Sequence, residues 1–459
     1  MYRPIKIYKY LDGGSCQVHF VTHGASRRFA RATRDESLLR EVHPAPRVFR
    51  VPAPIPHDLI PALVNRLRGR RSVEKPRDSR ESRDAKLSSA PESATPLSDS
   101  GQPKGGKAGG AYQRFAMRAY FPDHLFLWGL FAAVRCVWLQ FRYGYDVVYT
   151  TSYPESAHLP GFVLSALGIP WVVDYRYGGP LWIKKLAGYP KTAARDARDL
   201  RYQRRVLRRA DFVVAQSEQI RDEFCRVFGL DRAATHVVPS GFDESDFSGA
   251  ESRPAPFAKT DGEVHLLHLG AMEGMTAADR QALIASLNRL HSGLAARGRR
   301  LVMHAIGSDV LDGGRHPEAP RFEYRRHGTV VHKDLPPYLF TADCFLISTI
   351  TTASGSDAIT GFIPGKLWEY VRARRPVLLT GPKDAVWSVL EHQRAGLDLD
   401  DASAAGSLPD RLIDAMQSVP RAGVDVHQYS WEARAAALQQ VFTSVHRSRA
   451  TAPEGAPIG

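Results

Sequence analysis

GFIPGKLWEYVRARRPVLLTG, residues 361–381, places an anion-attracting loop, a charged helix face and a buried strand in direct succession. Pro364-Gly365 is a breaker followed by helical spacing, so a helix starts there with free backbone N–H groups aimed back into the loop. Such an end attracts phosphate. Lys366 falls in the first turn, within reach of an anion docked on those groups, and Glu369 follows three residues later on the same face. Leu367, Tyr370 and Val371 mark the opposite, apolar face, and Arg374-Arg375 complement the negative end of the helix. Pro376 to Thr380 then reads as a short buried strand. An ordinary helix–strand pair with a solvated Lys and Glu would show the same pattern.

The rest of the chain supplies the frame for that segment. Its 459 residues exceed the size at which one core stops growing, so two domains are expected, and 43% hydrophobic residues with frequent Gly and Pro suit a globular α/β protein. Cys16, Cys136, Cys225 and Cys344 are far apart and form no C-x-x-C pair, which speaks against a zinc site or a disulfide framework and for a reducing compartment. The net charge of +14 fits anionic substrates, an anionic membrane or nucleic acid, and does not choose among them. Basic and aromatic residues are not interleaved as in nucleic-acid binders, so no nucleic-acid partner is expected. Without a signal peptide at Met1 or an uncharged apolar run of about eighteen residues, the expected location is the cytoplasm.

Met1 to Leu11 has the spacing of an amphipathic helix with Ile5, Tyr8 and Leu11 on one side, and Gln17 to Thr22 follows as a strand. Residues 68–110 are rich in Arg, Ser, Pro, Glu and Gly and are expected to be a disordered insert. Their ten Lys or Arg outnumber six Asp or Glu, so they could touch anionic lipid headgroups. Pro122 to Tyr143 reads as a buried helix with Phe126, Leu130, Val134, Val137 and Phe141 inward, and with Trp128 or Trp138 available to a membrane surface. Asp146 to Thr151, the loop through His158, the helix to Leu167 and the strand Trp171 to Tyr175 make a βαβ unit. Ligands of such units bind beyond the carboxyl ends of the strands, where His158, Asp174 and Arg176 fall. Val264 to Leu269 with Gly270 opens a second set of alternating strands and helices, and Leu301 to Ile306 with Gly307 repeats the pattern. A helix is expected from about Thr276, whose side chain suits a cap.

IPGKLWEYVRARRPVLL resembles the donor-site segment of the GT-B glycosyltransferases, particularly the family-4-like enzymes of bacterial surface polysaccharide and glycolipid synthesis. Pro239-Ser240-Gly241-Phe242-Asp243 is similar to the Pro-Asn-Gly-x-Asp segment that ends the N-terminal domain in that family, with Ser in place of Asn. The resemblance implies an α/β fold of two Rossmann-like domains with parallel sheets facing a central cleft. Residues 1–250 would be the acceptor-side domain and residues 251–428 the nucleotide-sugar domain, with Glu251 to Lys259 as linker. Residues 429–448 would be a helix crossing back to the first domain, and residues 449–459 a flexible tail. The family has a strand and a Gly-rich loop before the first helix. Their absence here points to a start annotated at an internal Met, or else to loss of that strand.

The implied activity is transfer of a hexosyl group from a nucleotide sugar to an acceptor hydroxyl, retaining the anomeric configuration and needing no metal or other cofactor. Lys366 would neighbour the phosphates and Glu369 would take the ribose hydroxyls, with Gly270, Pro364 and Gly365 lining the nucleotide sugar. Phe322 to His332, including Val331, resembles the segment against which the base packs. His158 would act catalytically and on the acceptor side, beside Asp174 and Arg176. The implied partners are the donor, a glycan or lipid-linked acceptor, and an anionic membrane contacted peripherally.

Three departures bear on the site. Ala271 to Met275 lacks the Arg and Lys that relatives use on pyrophosphate, which leaves more of that charge to Lys366, helped by Lys333 or Arg325. Tyr177 replaces the second acid of the family's Asp-x-Arg-Asp. The family's Glu-x7-Glu pattern, counted back from Glu369, lands on Gly361, so Asp357 is the expected substitute for the sugar contact. Alternatives are a catalytically inactive nucleotide-sugar-binding protein and a GT-B-fold epimerase. The epimerase would need paired carboxylates, which the sequence does not place.

Overall fold

Runs of β-branched and aromatic residues form the strands, and the segments with helical spacing between them return the chain to the start of the next strand. The computed structural model describes residues 2–11, 13–14, 16–24, 42, 45–53, 121–179, 192–272, 275–311, 319–349, 361–401, 403, 406–418 and 425–450. The expected insert at 68–110 lies outside them, and the expected tail enters them only at residues 449–450, inside a helix.

The first half comprises α1 (Tyr2–Tyr10), β1 (His19–His23), β2 (Arg47–Val51), α2 (Phe126–Tyr143), β3 (Val148–Ser152), α3 (Leu159–Ala166), β4 (Trp171–Tyr175), α4 (Ala193–Arg209), β5 (Phe212–Ala215), α5 (Glu218–Phe228), β6 (Thr235–Val237) and α6 (Glu244–Phe247). Strands β3-β4-β5-β6 form one parallel sheet in sequence order, and β1 and β2 pair in parallel as a separate ribbon. The second half comprises β7 (Glu263–Leu269), α7 (Ala277–Ala295), β8 (Arg300–Ile306), β9 (Glu323–Arg326), α8 (Pro336–Thr341), β10 (Cys344–Ser348), α9 (Lys366–Ala373), β11 (Val377–Thr380), α10 (Ala385–His392), β12 (Gly396–Asp398), α11 (Leu408–Gln417) and α12 (Trp431–Ala450).

The second sheet is parallel throughout, in the order β12-β11-β10-β7-β8-β9. Its inner strands β11, β10, β7 and β8 are buried on both faces, as continuous apolar runs such as Cys344–Ser348 require, whereas the edge strand β9 is exposed or half-buried. The order reverses between β7 and β10, so their carboxyl ends open the crevice in which doubly wound sheets bind ligands. The Thr276 side chain and Asp279 form a capping box at the start of α7, as the sequence led one to expect.

α12 crosses back to the first half, where Trp431, Ala435, Leu438 and Val441 pack with Ile7 of α1 and with Val172 and Val214 of the first sheet. The crossing is pinned where the Trp431 N–H donates to the Phe242 carbonyl at 2.8 Å and the Phe242 N–H donates to the Tyr429 carbonyl at 3.1 Å. Two parallel α/β sheets joined in this way, with a terminal helix spanning both, constitute the GT-B fold.

Two expectations about helix faces are corrected. On α1 the buried set is Ile5 and Ile7 together with Arg3 and Lys6, because the helix lies between α12 and the Val238–Asp246 segment, and each cation meets a carboxylate, Arg3 that of Asp174 on β4 and Lys6 that of Asp243. On α2 the buried residues are Trp128, Gly129, Ala132, Ala133, Cys136 and Leu139, whereas Leu130, Val134 and Phe141 are exposed. The close approach of α3 explains the reversal: a Cβ at Gly129 would lie 2.7 Å from Leu159 Cδ1, so only small side chains fit that seam.

Candidate active site

The site is built on α9. Gly365 caps it in helical conformation with no side-chain hydrogen bond, and the first turn closes on itself: the Leu367 N–H donates to the Pro364 carbonyl and the Trp368 N–H to the Gly365 carbonyl, both at 3.1 Å. Leu367, Trp368, Tyr370 and Val371 bury its inner face, which at roughly 1.5–3 kcal/mol per large side chain anchors the helix firmly. The Tyr370 hydroxyl accepts from the Leu269 N–H at 3.0 Å, tying the helix to the end of β7.

Lys366 reaches the same strand end. Its ammonium donates to the Leu269 carbonyl at 2.6 Å and to the Ala271 carbonyl at 3.3 Å. It also lies 3.2 Å from His268 Nε2. His268 Nδ1 is 3.0 Å from the Leu346 carbonyl, which only accepts, so Nδ1 carries the proton and Nε2 offers its lone pair to Lys366. Burial, and then the Lys366 charge, push the His268 pKa well down and keep that ring neutral. Sequence reading missed His268; the signal was a second His inside the apolar run Val264 to Leu269.

Gly270 follows at φ +75°, and Gly307 at the end of β8 stands so close that a Cβ on it would lie 3.1 Å from Gly270 Cα. The ends of β7 and β8 therefore meet backbone to backbone next to the Leu269 and Ala271 carbonyls that hold the Lys366 ammonium, beside the β7–β10 switch point of the sheet.

Glu369 is one-fifth exposed, with His332 Nε2 3.6 Å from its Oε1. Burial raises its pKa, and the His332 and Lys366 charges act against that rise. Val331 immediately precedes the short 3₁₀ turn His332–Asp334 and is exposed beside that histidine. The structure thus brings Lys366, Glu369, Gly270, Pro364, Gly365 and Val331 to one end of the second sheet. Arg325 is turned to Glu323, which accepts at 2.6 Å, and the exposed Lys333 presents its carbonyl to Arg253 at 3.0 Å.

Gly361 has a structural reason to be glycine. It adopts φ +83°, and a Cβ there would lie 2.9 Å from Ser217 Oγ and 3.0 Å from Ile220 Cγ1 at the start of α5. It is a contact between the two halves, continued where Phe362 stacks on Tyr177 at 5.9 Å between ring centroids. Asp357, expected to replace the missing carboxylate, lies outside the described residues.

The acceptor-side expectations are corrected at two positions. His158 is wholly buried, with Nδ1 2.9 Å from Thr150 Oγ1 and its ring against Tyr175 at 4.9 Å. Burial lowers its pKa to about 3 and keeps the ring neutral. Asp174 is also wholly buried and fully committed: Arg3 binds it through two nitrogens at 2.9 and 3.1 Å, and Tyr149 and Thr151 donate at 2.6 and 2.8 Å. It secures α1 to β4 and does not face an acceptor. Arg176 lies beyond β4, with its guanidinium over the Tyr177 ring at 5.8 Å.

Lys6, Asp243 and Asp246 were not anticipated. Lys6 is buried and donates to Asp243 at 2.5 Å and to Asp246 at 3.3 Å, and Asp246 in turn lies 3.5 Å from His332. A line of polar contacts thus runs from Lys6 on α1 through Asp246 and His332 to Glu369.

Residues 91–241 match the glycosyl transferase 4-like domain family. No curated protein matches the chain. Among solved structures, sucrose-phosphate synthase from Thermosynechococcus elongatus is similar at 17% identity, over 72% of this chain and 81% of that one, with a TM-score of 0.48. Anabaena HepE, solved with UDP and glucose, is 13% identical over 70% and 81% of the two chains, with a TM-score of 0.41. A glycosyltransferase from Rickettsia africae is 14% identical over 75% and 86%, with a TM-score of 0.43. Residues 91–241, in the first half of the chain, are thus similar to the glycosyl transferase 4-like domain.

Proposed function

We propose that the protein transfers a hexosyl group from a nucleoside-diphosphate sugar to an acceptor hydroxyl, with retention of configuration and without a metal. The observation that carries this reading is the Lys366 ammonium held at the switch point of the second sheet, in the first turn of α9 at the positive end of that helix. Departure of a nucleoside diphosphate builds negative charge on its phosphates, and a preorganised cation with helix N–H groups offsets that charge where it forms. Exchange of the long Ala271 contact for a phosphate oxygen leaves Lys366 anchored to Leu269. Glu369 accepts two ribose hydroxyls as an ionised acceptor, and Val331 packs on the base. Asp357 supplies the sugar contact that Gly361 cannot.

The acceptor in this reading is a glycan or lipid-linked glycan of surface polysaccharide or glycolipid synthesis, met at the inner face of the membrane. A thermal-shift panel of nucleotide sugars, followed by release of nucleoside diphosphate from those that stabilise, tests it. Asp357→Ala should cut release about tenfold or more and leave binding of free nucleoside diphosphate nearly unchanged. A second reading, a nucleotide-sugar-binding protein without turnover, is favoured by the packing of Gly361 against Ser217. Stabilisation by a donor with no release in the presence of any acceptor would establish it.

A further inference from the structure

We infer that the joint outer face of α2 and α3 docks on an anionic lipid bilayer, which deepens the reading above by assigning the surface that meets the membrane. The exposed large apolar side chains of the described residues are Leu130, Phe131, Val134, Trp138 and Phe141 on α2, Phe162 and Val163 on α3, Leu167 just beyond it, and Val331 elsewhere. Val134 is 72% and Phe141 84% exposed. The two helices pack directly on one another, so their outer faces form one surface. α2 buries four small residues, Gly129, Ala132, Ala133 and Cys136, with Trp128 and Leu139, and leaves five large apolar side chains outward, more than a helix whose partner is only its own core would expose. Isolated exposed apolar residues need no explanation, but a contiguous set of this kind marks an interaction surface.

Charge selects the occupant. Neither α2 nor α3 contains an Asp or Glu, and their charged residues are Arg135 and Arg142. Arg135, Trp138 and Arg142 follow one another at i, i+3 and i+7, so a basic and aromatic stripe borders the aliphatic one. The Arg135 guanidinium lies over the Trp138 ring at 4.2 Å, a placement in which the ring faces acyl chains and the cation faces phosphate. Beside α3, Arg209 of α4 donates to the Ser165 carbonyl at 3.1 Å and extends the positive rim. Two copies of a chain with net charge +14 would set these arginines against one another, whereas anionic headgroups complement them. The amino end of α2 is tied to the loop after β3, where Asp123 accepts from the Ser156 N–H at 2.8 Å, so the face reaches the carboxyl-end side of the first sheet. A bilayer there would present a lipid-linked acceptor at the proposed cleft.

The test is sedimentation of the full chain with sucrose-loaded vesicles of phosphatidylcholine containing phosphatidylglycerol, without nucleotide or acceptor, so that the result is independent of transfer. The wild type should pellet with anionic vesicles and much less with pure phosphatidylcholine. Val134→Ser combined with Trp138→Ser and Phe141→Ser should weaken partitioning at least tenfold with an unchanged melting temperature. Arg135→Ala with Arg142→Ala should weaken it severalfold and remove most of its salt dependence. Equal sedimentation of wild type and triple variant, indifference to lipid charge, or no binding at all would overturn the inference. So would a wild-type dimer in light scattering that the triple variant converts to monomer, since the face would then belong to a second copy.

Discussion

Gly361 stands against Ser217, with room for no Cβ between them: an added methyl would come within 2.9 Å of the serine hydroxyl. The backbone there is at φ +83°, a region that costs a side chain about 1–2 kcal/mol. Gly361→Ala should therefore lower the melting temperature by several degrees. Gly365→Ala should change it little, because that residue is helical and nothing lies within 4 Å of its Cβ. Calorimetric melting of the two variants checks the contrast.

Asp174 is expected to act through the fold. Asp174→Asn leaves Arg3 buried without its counter-charge, which should cost roughly 3–5 kcal/mol of stability. Denaturant titration checks it; an acceptor contact would instead raise the acceptor KM at unchanged stability.

Glu155 is 3% exposed and its Oε2 has no hydrogen-bond partner among the described residues. Burial, and then the nearby Asp123, raise its pKa from 4.5 to about 8. Between those values the folded protein keeps a proton that the unfolded chain has released, so raising the pH across that window favours unfolding. The contribution is full below the unfolded pKa and lost as pH rises through the folded one, up to about 5 kcal/mol. Glu155→Gln should flatten that slope and melt higher than wild type at pH 8. Parallel melting-temperature profiles from pH 5 to 8 would check this.

The fold was legible because its signals are local. Strands such as Trp171–Tyr175 and Glu263–Leu269 are short apolar runs bounded by Gly or Pro, and α9 carries both its breaker and its apolar stripe in the sequence. Faces set by distant partners were not legible. Nothing near Arg3 or Lys6 in sequence announces Asp174 or Asp243, and periodicity alone puts the large residues of α2 inward. His158 and Asp174 have the residue types of a site and the right strand ends, but burial withdraws both. At the donor end, the shared placement of Lys366 and Glu369 was legible because they lie one helical turn apart on a helix whose orientation is fixed by its own apolar stripe.

Glu369 must be ionised to accept ribose hydroxyls, and burial raises its pKa. Affinity for a nucleoside diphosphate should therefore fall as pH is lowered through that raised value, and Glu369→Gln should bind weakly at every pH. Binding isotherms at several pH values would show it; parallel profiles for the two proteins would remove Glu369 from the ribose.

Isothermal titration calorimetry of UDP, GDP, ADP and dTDP into the wild type and into Lys366→Met tests the donor site most directly. At least one nucleotide should bind the wild type, and the variant, which keeps the length of the side chain and loses its charge, should bind it at least tenfold more weakly, about 1.4 kcal/mol. Equal affinity of the two proteins, or no binding of any nucleoside diphosphate to the wild type, would contradict it.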